Sequence, residues 1–217
     1  MNVFVKVCCS TMLFGKSAVP ELASSLNEIN SEEMRSLVER YGEPRKNRFS
    51  ASFLDFECQF VKQSRNKGRL HDVTCFIRES TGDYVVIQKH QYANSGIYRA
   101  PSGGASFGEP IEEAIHREMK EETGLQIRLV RFVLDLTLDI QCEGELIQWR
   151  SLVFLAEPVA GDMKPIDTHE IFDVGVMSRE QLLGDVDRLM VESGWGGFAY
   201  RAFLTREFFK KLDELNI

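Results

Sequence analysis

The chain has 217 residues, 43% hydrophobic and 27% charged, with a formal net charge of -7 at pH 7. That balance is the one expected of a soluble globular protein, long enough to bury a core without disulfides or structural metal. The negative sign opposes non-specific binding to nucleic acid or to an acidic membrane, although an anionic substrate can still be held through divalent cations.

Cys8, Cys9, Cys58, Cys75 and Cys142 are odd in number and form no Cys-x-x-Cys pair. The expectation is reduced thiols packed as small hydrophobes, with no disulfide framework. The first residues lack the basic start and long apolar run of a signal peptide, and no stretch reaches the ~20 apolar residues of a membrane span. These features together suggest a cytoplasmic protein.

In chain order, Asn30 and Glu33 fit a capping box for a helix over 31–41 that ends at Gly42 before Pro44. Residues 48–61, with Phe49, Phe53, Phe56 and Phe60, read as strand, and 62–69 read as a connection. The apolar runs 72–78 and 84–90 around Ser80-Thr81-Gly82-Asp83 suggest a β-hairpin. A glycine-containing loop over 91–109 leads into a helix over 110–123, with Pro110 in its first turn and Gly124 just past its end. Strands follow near 127–140 and 146–157, joined by a turn at Cys142-Glu143-Gly144-Glu145. After a loop over 158–169 come a short strand at 171–177, a helix opened by Ser178, and a final helix over 199–215. The aromatic residues of that last helix fit a core-facing surface better than a base-stacking platform. The element order is mixed α and β, an α/β class fold.

The chemistry concentrates in residues 103–125. Helical spacing puts Glu118, Glu121 and Glu122 on neighbouring turns facing one small volume. Carboxylates that close raise one another's pKa values, and hard oxygen donors at this density suit Mg²⁺ or Mn²⁺. Arg117 has the planar fork needed to orient a carboxylate, and the glycines before the helix let backbone approach a ligand. Taken alone, an Arg-Glu-x-x-Glu-Glu fragment is usually a solvated helix face.

The full string resembles the Nudix hydrolase signature, G-x5-E-x7-R-E-U-x-E-E-x-G-U, where U is a bulky aliphatic residue. Gly103, Glu109, Arg117, Glu118, Met119, Glu121, Glu122, Gly124 and Leu125 fill every defined position. The resemblance implies a Nudix-type α/β/α sandwich with a mixed sheet over 68–217, preceded by an N-terminal α+β extension over 1–67. It implies a pyrophosphohydrolase that cleaves a diphosphate bond in a nucleoside diphosphate linked to another moiety. Glu118, Glu121, Glu122 and the Gly103 carbonyl would hold Mg²⁺ or Mn²⁺, with Glu121 also able to activate water. Arg117, with Glu109, would hold the glutamates in place.

Members of the family often recruit one further glutamate. The candidates are Glu143, Glu145 and Glu170, and Glu170 is preferred because it ends a long loop before a strand. Tyr98 and Arg99 are candidate substrate contacts, for a base and a phosphate respectively. The glycine pair usual at positions 102 and 103 is displaced to Gly103 and Gly104, and Ser106 stands where many relatives have an acid.

The expected partner is a small nucleotide diphosphate, with ADP-ribose or another nucleotide sugar ahead. The proline that ADP-ribose relatives often carry about fifteen residues past the box is absent from 139–144. Dinucleoside polyphosphates, nucleoside triphosphates, NAD and coenzyme A stay open. So does a non-catalytic ligand sensor, which would call for a DNA-binding helix pair or a damaged box. The extension is expected either to help form a homodimer and the substrate pocket or to cover the sheet.

Overall fold

The computed structural model describes residues 29–69, 71–106 and 108–217. Cys8, Cys9 and the start of the chain lie outside them. Five strands form a mixed sheet in the order β1 (Arg45–Ser52), β5 (Gln126–Cys142), β6 (Glu145–Ala160), β2 (His71–Ile77) and β4 (Ser102–Gly103). β1 runs parallel to β5, β5 antiparallel to β6, and β6 parallel to β2. A second, two-stranded antiparallel sheet joins β3 (Tyr84–Lys89) to β7 (Ile171–Met177).

Helices cover both faces of the larger sheet. On one face, α1 (Ser31–Tyr41) and α3 (Ile111–Thr123) bury Leu37, Ile115 and Met119 against Val73, Phe132 and Phe154. On the other, α2 (Asp55–Asn66) and α6 (Gly196–Leu215) bury Cys58, Phe208 and Phe209 against Phe76, Leu136 and Val153. The fold is therefore an α/β sandwich, and the second half of α6 is core-facing as its spacing suggested. Between β7 and α6 lie α4 (Arg179–Gln181), a π-helical turn over Leu182–Val186, and α5 (Asp187–Glu192). Ser178 caps α4 reciprocally with Gln181, as its sequence anticipates.

Five expectations need correction. The proposed strand over 48–61 stops at Ser52, and Asp55–Asn66 is helix. Phe53, Phe56 and Phe60 are spaced three and four apart, a helical stripe, and the Glu57 carboxylate accepts the Leu54 N–H at 2.9 Å to start the helix. The connection expected at 62–69 is accordingly the last turns of α2 up to Asn66.

The hairpin expected from 72–78 and 84–90 survives only as a bridge between Arg78 and Tyr84. Both strands are buried along most of their length and need partners on more than one side, so β2 joins β6 while β3 crosses to β7. The hairpin at β5–β6 does form, and Glu143 and Gly144 take positive φ at its tip.

Asn30 accepts the Glu32 N–H, but the box with Glu33 is not reciprocal. Glu33 instead accepts the Ile111 N–H at 2.5 Å, across the structure. Tyr41 donates to Glu112 at 2.6 Å, so α1 clamps the first turn of α3.

Cys58 and Cys142 form a disulfide across 84 residues of sequence, with Cα atoms 5.7 Å apart, while Cys75 is a buried free thiol. Parity and spacing carry no trace of this pair, because the fold alone sets Cys58 of α2 over the end of β5. The expectation of reduced thiols fails there, and the cytoplasmic placement loses that support. Among the described residues, no helix is long and apolar enough to cross a membrane.

Candidate active site

β4 and α3 place the box residues. α3 starts after Pro110 and ends on Gly124 in the left-handed conformation with φ 78°, a stop that glycine adopts without strain. Its face toward the sheet buries Ile111, Ala114, Ile115 and Met119, which turns Glu118 and Glu122 toward β4. Gly103 stands hard against Glu118: a Cβ there would lie 2.0 Å from the Glu118 carboxyl carbon. Only glycine allows that approach.

Arg117 organises the group. Its Nε and Nη2 each donate to Glu109 at 2.8 Å, its Nη1 donates to Glu118 at 2.9 Å and Glu121 at 3.0 Å, and Nη2 also reaches the Gly104 carbonyl at 3.2 Å. These bonds fix the loop before the helix to the helix itself. The Arg117 fork pulls the Glu109 carboxyl down to about 2, despite an opposing effect of burial. Burial is the larger influence at Glu118, raising its pKa, and the neighbouring Glu122 and Glu121 charges add to it while Arg117 opposes.

Glu122 is 3% exposed and accepts the Ser102 N–H at 2.7 Å. Its other oxygen is 3.3 Å from the Lys89 ammonium, which also pairs with Glu170. Arg99 is buried, donates to Tyr92 and Ser102, and approaches Glu122 at 3.9 Å. Burial works against the Arg99 charge, yet Tyr92 and Glu122 hold its pKa above the ordinary arginine value. Arg201 of α6 donates to Ser102, Thr74 and Asp72 at 2.9–3.1 Å, so the last helix is tied to both β4 and β2.

Glu170 arrives by a different route. The loop after β6 bonds back to the end of α3, where Ile166 and Asp167 donate to the Glu121 carbonyl at 2.9 and 3.0 Å. Asp167 then accepts the His169 and Glu170 N–H groups. A cavity of about 750 Å³ is lined by Gly103, Arg117, Glu118, Glu121, Glu122, Lys89, Arg99 and Glu170 together. Glu143 and Glu145 do not line it, and Glu145 pairs with Lys62 and Arg65. Tyr98 does not line it either. Its hydroxyl donates to Asp173 at 2.7 Å and its ring packs on the core.

Sequence reasoning missed Lys89, Ser102, Asp72 and Arg201, none of which has a motif spacing. It also missed Trp149, Trp195 and Phe198, which complete the cavity wall beside Phe53, Phe56 and Phe60 of the extension.

A divalent cation can be weighed against these residues. The donor set, three carboxylates and a backbone carbonyl, is of the hard oxygen type that Mg²⁺ prefers. The Lys89 ammonium already sits between Glu122 and Glu170, a positive charge of the protein's own in the place where carboxylates need one. Among the described residues no three acidic, histidine or cysteine side chains stand close enough together to hold a metal as they are. Arg117 and Lys89 take up the oxygens instead. The chemistry fits a hard cation, provided these two partners release carboxylate oxygens to it.

Comparison with known proteins adds the family. The NUDIX domain model matches residues 68–193, more than half of the chain. An NAD-capped RNA hydrolase of Pasteurella multocida is 36% identical over 67 residues, 30% of this chain and 25% of that one. An ADP-ribose pyrophosphatase of Methanocaldococcus jannaschii is 33% identical over 103 residues, covering 45% of this chain and 59% of that one. The chain thus spans less than two thirds of the length of either relative. A solved NUDIX hydrolase from Nitrosomonas europaea aligns with a TM-score of 0.46 at 17% identity, covering 64% of this chain and 88% of the other.

Proposed function

The chain belongs to the Nudix family, and from that premise we propose that it hydrolyses a diphosphate bond in a nucleoside diphosphate joined to another moiety, with a divalent cation as cofactor. The observation that carries the reading is the single guanidinium of Arg117 binding Glu109, Glu118, Glu121 and the Gly104 carbonyl at the edge of one cavity. Such a network fixes several carboxylates at small separations, an arrangement whose charge repulsion makes sense where positive charge is to be bound.

Glu118, Glu121, Glu122 and the Gly103 carbonyl would hold Mg²⁺ or Mn²⁺. The cation supplies charge neutralisation at the phosphoryl oxygens and lowers the pKa of water. The protein's residues supply the rest. Arg117 keeps the carboxylates oriented, and Ser102 holds one oxygen of Glu122 through its N–H. Arg99 supports Ser102 and Glu122 from the buried side, a positioning part in place of the phosphate contact expected of it. Glu170, the one candidate glutamate outside the box that lines the cavity, would accept a proton from the attacking water. Lys89, paired with Glu170, is placed to meet substrate phosphate when Glu170 is otherwise engaged.

The relatives' names support an ADP-containing substrate, since ADP-ribose and NAD share an ADP half. The test is release of phosphate or mononucleotide from a panel of nucleoside diphosphate derivatives with Mg²⁺ or Mn²⁺, repeated with Glu121→Gln. The expected result is turnover of at least one compound and a drop of about 10²-fold or more in the variant. Absence of release from every compound, or equal rates with the variant, overturns the reading.

A further inference from the structure

The last carbonyls of an α-helix lack partners inside it. At the end of α3 the loop after β6 supplies them. Lys164 donates to the Thr123 carbonyl at 3.0 Å, and Ile166 and Asp167 both donate to the Glu121 carbonyl. Two glycines allow so close an approach. A Cβ at Gly161 would collide with the Gly124 carbonyl oxygen, and one at Gly124 would collide with the Asp162 and Lys164 carbonyl oxygens. Gly124 therefore does more than end the helix, because its bare backbone seats residues 161–167 as a strap on the box.

The strap ends in a turn that carries Glu170. Asp167 is half-buried, and its Oδ1 accepts both the His169 N–H at 3.0 Å and the Glu170 N–H at 3.1 Å. From the other side, the His90 N–H donates to the Glu170 carbonyl at 3.2 Å, and the His90 ring Nε2 lies 3.1 Å from the Thr168 carbonyl. The turn is thus fastened to α3 through Asp167 and to the end of β3 through His90. Packing does little to fix the Glu170 side chain, which is 53% exposed, so its place beside Lys89 depends on how its backbone is held. A general base must stand within hydrogen-bond reach of the water it activates, and a misplacement of about 1 Å can cost about 10²-fold in rate.

We propose that Asp167 is a positioning residue for the reaction. Its N–H holds the backbone of Glu121 and its carboxylate holds the backbone of Glu170, so one side chain sets the outlying glutamate against the box helix. The proposal rests on the reading of Glu170 as proton acceptor given above. Asp167 lines the cavity too, and a direct chemical part for its carboxylate predicts a different outcome.

The test is steady-state kinetics of the full chain, disulfide intact, with Mg²⁺ or Mn²⁺ and ADP-ribose or whichever compound of the panel is turned over fastest. Glu170→Gln is expected to lower kcat by about 10²-fold. Asp167→Ala should lower kcat about tenfold and leave KM within about twofold, since the residue acts on the base and not on substrate. Asp167→Asn keeps the Oδ1 acceptor and should restore kcat to within about twofold of the wild type. In the Glu170→Gln background, Asp167→Ala should cost nothing more, because a residue that acts only through Glu170 has nothing left to position. Normal kcat in Asp167→Ala, an Asp167→Asn variant as slow as Asp167→Ala, or an equal further loss in the Glu170→Gln background overturns the proposal alone. Unchanged kcat in Glu170→Gln removes the proton-acceptor reading and the proposal with it, and no turnover of any compound removes the hydrolytic reading as well, so the three failures are distinct.

Discussion

Two regions contribute to one cavity and are held by different means. In the first, α3 and the loop before it set five oxygen acceptors around the Arg117 guanidinium, within 23 consecutive residues. In the second, α2 and the start of α6, far apart in sequence, present aromatic rings braced by the Glu57 carboxylate and the Cys58–Cys142 disulfide. Glu57 accepts three backbone N–H groups, from Leu54, Gly196 and Gly197, so one buried side chain starts both helices. The first region is local and polar, which suits chemistry that must be the same whatever the substrate. The second is assembled from distant elements, which suits a surface that distinguishes substrates, because it can vary without disturbing the carboxylates.

That division can be broken from either side. The largest effect is expected from removing the disulfide, by Cys58→Ser with Cys142→Ser or by a dithiol reductant. Closing a loop of 84 residues is worth about 4 kcal/mol, so thermal unfolding should shift down by roughly 10 °C. Because Cys58 sits on the wall helix, KM should rise more than kcat falls. Equal loss of kcat would mean that α2 supports the carboxylates as well.

Gly103→Ala attacks the other region. Its Cβ would meet the Glu118 carboxyl at 2.0 Å, in a residue that is only 9% exposed. A fall of about 10²-fold in kcat is expected, with a loss of about 1–3 kcal/mol in stability from the forced shift. Steady-state kinetics beside thermal unfolding would separate the two. A variant with normal kcat would show that Glu118 need not lie against the glycine loop.

Glu57→Ala has the smallest expected effect of the three. It leaves three N–H groups without their acceptor, at a cost of about 2 kcal/mol, and should raise KM while sparing kcat. Hydrogen exchange at Gly196 and Gly197 would locate the loss, and unchanged protection there would remove Glu57 from the brace.

Much of the carboxylate region was legible before any coordinates. The spacing of Glu118, Glu121 and Glu122 depends only on helical pitch, and Pro110 and Gly124 bound the helix at both ends. Glu170 could be singled out by its place at the end of a loop. Tyr98 could not be excluded, since only the fold sends its hydroxyl to Asp173. The helical stripe of Phe53, Phe56 and Phe60 was present in the sequence but read as strand, because an aromatic-rich run has high strand propensity and its period is short.

By itself, then, the sequence determined the local polar machinery: a helix, its caps, and the order in which Arg117 and its glutamates leave it. These follow from backbone periodicity within a few turns. The tertiary structure alone decided that Lys89 stands between Glu122 and Glu170, that Glu33 caps α3, that β2 and β3 part company, and that Cys58 meets Cys142. Each is a contact between residues that share no period. Their pairing follows from burying two apolar faces of one sheet at once, a condition on the whole chain that no short window of it contains.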